Sequence, residues 1–172
     1  LRGQGCPSVG AVGYCMGGTL ATALAQRRAG ALSRLALLAT PWDFHAEDAD
    51  AVRRAWTLMQ PLMAMLQQWS ELPVDLLQAM FTGLDPLLAL RKFSNFGRLN
   101  TLSDKAEAFV ALEDWLNDGV PLAAAVALEC IDGWYGRNTP ATGHWLIADR
   151  PVDPAAVRLP NLHIIPANDR KV

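Results

Sequence analysis

The first forty residues alternate between short apolar runs and a helix-forming stretch of small residues. Residues 8–14 form an apolar run that predicts a buried strand, and the Ala- and Leu-rich stretch 19–28 favours a helix. A second apolar run over residues 34–39 predicts another buried strand, which ends before Pro41. Strand, helix and strand in this order indicate a βαβ unit, and therefore a parallel sheet with helices on its faces.

The middle of the chain, residues 47–138, has helical periodicity and no convincing strand pattern. Apolar positions between Ala51 and Leu66 recur every three or four residues, as they do on one face of a helix. Pro61 is expected to kink or split this helix, because proline cannot donate the backbone hydrogen bond. Further helices are expected to start near Pro73 and near residues 85–86.

A well-marked helix is predicted after residue 103. Ser103 is a good N-cap for a helix that runs to about Asn117, and its inner face is expected to carry apolar side chains. These inner residues are Phe109, Leu112 and Leu116. A further helix is expected over residues 122–131, after the Gly-Pro punctuation at 119 and 121.

The last segment, residues 139–172, returns to α/β character. The apolar run 162–165 predicts a short strand, which is followed by the turn-forming pair Asn168-Asp169. The fold class predicted is therefore α/β, with a core over residues 1–46 that resumes at residues 139–172. Residues 47–138 are expected to be a helical cap inserted into that core.

Composition and charge exclude several classes of protein. The chain has 172 residues, of which 51% are hydrophobic and 19% charged, so it is not a disordered tail. Its 15 basic and 17 acidic residues give no electrostatic case for nucleic-acid binding. No apolar run is long enough for a transmembrane segment. The three cysteines Cys6, Cys15 and Cys130 are spaced too widely for a metal cluster and suggest a reduced, cytoplasmic setting.

Residues 13–18, Gly-Tyr-Cys-Met-Gly-Gly, carry the most informative chemistry. They match the G-x-S-x-G nucleophile elbow with cysteine in place of serine, between a predicted strand and a predicted helix. Gly13 and Gly17 are expected to let the strand and helix backbones pass closely. Cys15 would then lie at a helix N-terminus, where the thiolate is favoured, and the backbone N–H of Met16 would bind an oxyanion. The alternative is a Gly-rich turn around a structural cysteine.

An elbow nucleophile requires an acid and a histidine later in the chain. Asp169 directly follows the strand predicted at 162–165, where a triad acid belongs, although the pair could serve only as a turn. The chain's three histidines, His45, His144 and His163, all precede Asp169. We therefore expect the catalytic histidine to lie beyond Val172 and the earlier sheet strands to precede Leu1.

Five segments in chain order resemble one known family, the polyhydroxyalkanoate synthases, over nearly the whole chain. They are residues 13–20, 37–44, 112–118, 135–138 and 168–172. The resemblance implies an α/β-hydrolase fold with a helical cap, and polymerisation of (R)-3-hydroxyacyl-CoA into polyester with release of CoA. It implies Cys15 as the acylated nucleophile and Asp169 as the triad acid. The family's histidine has no counterpart here, so the chain alone is expected to be inactive.

The resemblance also implies partners and a location. The partners are the (R)-3-hydroxyacyl-CoA substrate, the polyester chain, the surface of a polyester granule and a second copy in a homodimer. The location is the cytoplasm, at granules, and no cofactor is expected. Two other functions stay open: a cysteine hydrolase of the dienelactone-hydrolase or thioesterase type, and a non-catalytic homologue that binds granules. The long, mostly helical stretch between Cys15 and Asp169 argues against the compact dienelactone-hydrolase form.

Overall fold

A computed structural model describes residues 5, 8–84 and 86–167 as a mixed α/β protein. The helices are α1 (Met16–Arg27), α2 (Ala49–Leu66), α3 (Val74–Leu84), α4 (Pro86–Phe96), α5 (Asp104–Asn117) and α6 (Ala124–Leu128), followed by a π-helix (Glu129–Gly136). The strands are β1 (Val9–Tyr14), β2 (Leu32–Leu38), β3 (Glu71–Leu72), β4 (Leu122–Ala123), β5 (Leu146–Ile147), β6 (Arg150–Pro151) and β7 (Asn161–Ile164). The chain divides into two compact units. The first consists of the described parts of Leu1–Gln60 and Glu129–Val172, and the second is Pro61–Leu128.

The first unit contains a three-stranded parallel sheet in the order β1-β2-β7. All three strands lie where the apolar runs predict them, and α1 connects β1 to β2, so the βαβ unit and the α/β class are confirmed. Helix α1 begins at Met16, three residues before the predicted start. The start was predicted too late because Gly17 and Gly18, which are poor helix formers, follow the turn at Cys15 and lie within the first turn of α1.

Two clusters of buried side chains form the core of this unit. On one face of the sheet, Ala21 and Ala25 of α1 pack against Leu35 and Leu37 of β2. The small alanine side chains allow the helix to approach the sheet closely. The second, called here the aromatic core cluster after Trp134 and Trp145, contains the buried side chains Ala23, Cys130, Trp134, Trp145 and Val152. Met16, Trp42, Phe44 and Ile147 pack against it.

The second unit is made of α3, α4, α5 and α6 with a short antiparallel pair, β3 and β4. The Phe96 and Phe109 rings of α4 and α5 stack with centroids 4.4 Å apart. The Lys92 ammonium lies 2.6 Å from the Glu113 carboxylate, and this ion pair is largely shielded from solvent. The presence of β3 and β4 shows that the prediction of no strand in this region is wrong. These two-residue strands are too short to show an alternating pattern in the sequence.

The Ser103 cap is confirmed, but the predicted inner face of α5 is partly wrong. The Ser103 hydroxyl accepts a hydrogen bond from the Ala106 N–H. Leu112 and Leu116 are 52% and 43% exposed, whereas Ala106 is buried and Phe109 and Glu113 are half-buried. The buried face is rotated by one residue relative to the prediction, because the Lys92 ion pair brings Glu113 rather than Leu112 towards α4.

Two other expectations from the helical region differ from the structure. Helix α2 continues without a break through Pro61, although the division between the two compact units falls at that residue. The helix predicted over residues 122–131 is replaced by β4, the short α6 and the π-helix. Because π-helices are rare and short, a helical pattern in the sequence is interpreted as an α-helix, and periodicity does not reveal the π-helix. Within the part of the chain that is described, no helix is both long and apolar enough to cross a bilayer.

Candidate active site

Cys15 occupies the turn between β1 and α1 of the first unit. Its N–H donates to the Leu38 carbonyl of the neighbouring strand at 2.8 Å, and its own carbonyl accepts from the Gly18 N–H at 2.8 Å. These bonds fix a backbone with φ 51° and ψ −128°, which residues with a Cβ adopt rarely and at a cost. The side chain is half-buried, so the thiol is held at the apex of a sharp strand-to-helix turn and remains accessible.

The glycines around this turn have different steric roles. A Cβ on Gly13 would lie 2.5 Å from the Gly18 Cα, and a Cβ on Gly18 would lie 1.8 Å from the Thr40 hydroxyl oxygen. A Cβ on Gly17 would meet no atom within 4 Å. The steric expectation is therefore correct for Gly13 and wrong for Gly17, since it is Gly18 that faces the strand and Gly17 that lies on the exposed side of α1.

Met16 is the first residue of α1 and has two separate contacts with the site. Its backbone N–H belongs to the first turn, where a helix supplies no acceptor, so it can donate to an anion beside Cys15. Its side chain packs into the aromatic core cluster, and its sulfur lies 4.0 Å from the Cys130 sulfur. Met16 thereby connects the elbow to the π-helix.

The loop that follows β2 is fastened to the segment after the π-helix. The side-chain amide of Asn138 donates to the Asp43 carboxylate at 2.7 Å, and its oxygen accepts from the Phe44 N–H at 3.1 Å. The His45 N–H also donates to Asp43, and its ring nitrogen Nε2 bonds the Tyr135 carbonyl at 2.7 Å. The hydrogen bond from Asn138, then that from the His45 backbone, holds the pKa of Asp43 below its usual value.

Two titratable side chains of the π-helix surround the elbow. Burial raises the pKa of the Cys130 thiol to about 11, and the nearby Glu129 carboxylate adds to this effect. Burial also raises the pKa of the Tyr135 phenol, as do the neighbouring thiols of Cys15 and Cys130. At neutral pH both groups stay protonated, so Cys130 is a buried, inert thiol and Tyr135 is a neutral hydrogen-bond donor.

The structure does not describe the predicted acid, and two of the three histidines, His45 and His163, bond to groups other than Cys15. Asp169 lies outside the residues that the structure describes, as does Cys6. Two aspartates in nearby loops have local roles: Asp149 lies in the β5–β6 turn with φ 57°, and Asp153 caps a 3₁₀ turn. His163 is exposed, and its ring nitrogen Nε2 bonds the side-chain oxygen of Asn161.

Sequence reasoning assigned no role to Gly18, Tyr135 or Asn138, which the structure places around the site. Gly18 was visible as the second glycine of the elbow. Tyr135 and Asn138 belong to one of the five recognised segments, but their connection with residues 43–45 depends on tertiary folding. No three His, Cys, Asp or Glu side chains form a group suited to a metal ion in the ranges 8–84 and 86–167.

Comparison with known proteins gives a distant match. The chain is 25% identical over 176 aligned positions to the poly(3-hydroxyalkanoate) polymerase subunit PhaC of Haloferax mediterranei. The alignment covers 98% of this chain and 35% of that protein, so the chain spans about a third of the length of the curated relative. No family model matches the chain. The match indicates a distant relationship with this polymerase subunit, and it agrees with the family to which the five segments point.

Proposed function

We propose that this chain carries the nucleophile of a cysteine acyltransferase that makes polyhydroxyalkanoate from (R)-3-hydroxyacyl-CoA. The observation that carries the proposal is the backbone of Cys15, whose φ of 51° and ψ of −128° present a thiol at the apex of a strand–turn–helix. The distant match to a polyhydroxyalkanoate polymerase subunit supports the substrate class. The parallel sheet supports an α/β-hydrolase core, which is part of the same proposal.

The proposed reaction has two steps on the same sulfur. In the first, the Cys15 thiolate attacks the carbonyl carbon of the acyl-CoA, a new C–S bond forms, and CoA leaves as a thiolate that takes up a proton. In the second, the 3-hydroxyl of another acyl unit or of the chain end attacks the acyl-Cys15 thioester. Its proton passes to a base, an ester bond forms, and Cys15 is released as a thiolate.

The surroundings of Cys15 suit both steps. The N-terminus of α1 favours negative charge on the sulfur and on the tetrahedral oxyanion, and the Met16 N–H is our proposed donor to that oxyanion. Thioester exchange between two thiols is nearly balanced in energy, so the acyl group on Cys15 stays activated for the second step. Asp169 remains the proposed triad acid. Among the described residues, His45 and His163 bond other groups, so neither is proposed as the base.

The test is acylation of Cys15 in the protein expressed from its complete coding sequence. With 3-hydroxybutyryl-CoA, we expect CoA release and an acyl adduct on the peptide that contains Cys15, detected by mass spectrometry. Cys15→Ala should abolish both signals. Cys130→Ala is the matched control and should keep most of the activity, because this buried thiol stays protonated at neutral pH.

The products distinguish the competing functions. Insoluble polyester supports the synthase, whereas free 3-hydroxybutyrate with no polymer indicates a hydrolase. No CoA release and no adduct would indicate a non-catalytic homologue. An adduct on Cys130, or full activity in Cys15→Ala, would contradict the proposed mechanism.

A further inference from the structure

Tyr135 lies on the side of the π-helix that faces the elbow. Hydrogen bonds in a π-helix join residues five apart, so Cys130 and Tyr135 lie about one turn apart on the same side of it. The Met16 sulfur contacts the Cys130 sulfur at 4.0 Å, which brings the residue after Cys15 against this side. The position of Tyr135 near the Cys15 turn therefore follows from the geometry of two elements in one compact unit.

The Tyr135 ring is held in place from a second direction. Its centroid lies 4.8 Å from that of Phe44, in an edge-to-face arrangement, and its carbonyl accepts the bond from His45 Nε2. Phe44 is itself fixed by the side-chain amide of Asn138. The loop after β2 and the π-helix thus restrict the ring on both sides, and a phenol so restricted is preorganised as a donor.

The hydroxyl of Tyr135 has the right chemical character for an acyl site. The Tyr135 side chain is half-buried, and its hydroxyl has no hydrogen-bond partner among the residues that the structure describes. Burial and the neighbouring thiols keep its pKa above the usual value, so it remains an O–H donor throughout the neutral and mildly alkaline range. A donor on the side of the π-helix that Met16 contacts, in the compact unit that holds the Cys15 turn, is suited to the oxygen of a group carried on that thiol.

We propose that Tyr135 is a substrate-contacting residue whose hydroxyl donates a hydrogen bond to the acyl carbonyl of the thioester on Cys15. This inference rests on the proposed function, because it requires that Cys15 be acylated. The bond would strengthen as the carbonyl oxygen gains negative charge in the tetrahedral state, and it would complement the Met16 N–H.

The experiment compares Tyr135→Phe with wild type in the protein expressed from its complete coding sequence, with 3-hydroxybutyryl-CoA as substrate. Phenylalanine keeps the ring contact with Phe44 and removes only the hydroxyl. We expect kcat to fall on the order of 10²-fold, as it does when one oxyanion donor is lost, with KM and melting temperature nearly unchanged. Ser94→Ala is the control, since it also removes one hydroxyl but from an exposed side chain of α4 in the second unit, and it should leave kcat within about twofold of wild type.

Each outcome decides between the two proposals. An acyl adduct on wild-type Cys15 together with an unchanged kcat in Tyr135→Phe overturns the assignment of Tyr135 alone. A fall in activity that merely follows a fall in melting temperature also overturns it, because that is the result of a structural role. The absence of any adduct in the wild type overturns the proposed function and this assignment with it.

Discussion

The two compact units bury their aromatic residues to very different extents. In the first unit Trp134 and Trp145 are each 2% exposed, and their rings meet edge to face with centroids 5.2 Å apart. In the second unit Trp115 is 63% exposed, and Phe93 of α4 is 52% exposed. The first unit is therefore stabilised by close packing around the candidate site. The second unit has amphipathic helices whose apolar side chains are only partly buried.

The difference in packing between the two units can be tested by removing one tryptophan from each. Trp134→Ala should lower the free energy of unfolding by about 3–5 kcal/mol, because it empties the centre of the aromatic cluster. Trp115→Ala should change it by no more than about 0.5 kcal/mol, because an exposed side chain loses little contact. Urea denaturation followed by circular dichroism measures both. Equal losses in the two variants would refute the contrast between the units.

The close contact between β1 and α1 can be tested with one methyl group. Gly13→Ala should cost about 3 kcal/mol, because the new Cβ would meet the backbone of Gly18, which cannot move aside without shifting the helix. Gly17→Ala is the matched control and should stabilise the protein by roughly 0.5–1 kcal/mol, since its Cβ meets open space within a helix. Thermal melting of the two variants gives the comparison. If Gly13→Ala is as stable as Gly17→Ala, the elbow is looser than described.

The smallest expected effect is in the second unit, at the start of α5. Ser103→Ala should lower stability by about 1 kcal/mol, because the Ala106 N–H loses its side-chain acceptor. Ser103→Asp should retain the stability, since aspartate caps a helix equally well. Hydrogen exchange of the amides in the first turn of α5 is the appropriate measurement. Unchanged protection in Ser103→Ala would show that packing alone holds this helix end.

The elements that repeat a simple period could be predicted from the sequence, and those set by tertiary contacts could not. The strands β1, β2 and β7 and the Ser103 cap follow from local residue patterns. The rotation of α5 could not be foreseen, because it depends on the ion pair between Lys92 and Glu113, which are 21 residues apart in sequence.

The residues of the candidate site also include some that local sequence patterns predict and others that depend on tertiary contacts. The position of Cys15 in a strand-to-helix turn was readable from its flanking glycines and from the apolar run before them. The approach of Tyr135 to that turn was not, because it requires the π-helix and the contact between Met16 and Cys130. Local motifs therefore identify a nucleophile more readily than the groups that surround it.

The backbone conformation of Cys15 has a consequence for how this protein can evolve. Glycine adopts φ 51° without the steric penalty of a Cβ, whereas cysteine there costs of the order of 1–3 kcal/mol. Selection for heat resistance alone would therefore favour glycine at position 15 and would discard the thiol. Folding and chemistry make opposite demands on this residue, so a lineage that lost the need for the thiol would gain stability by replacing it.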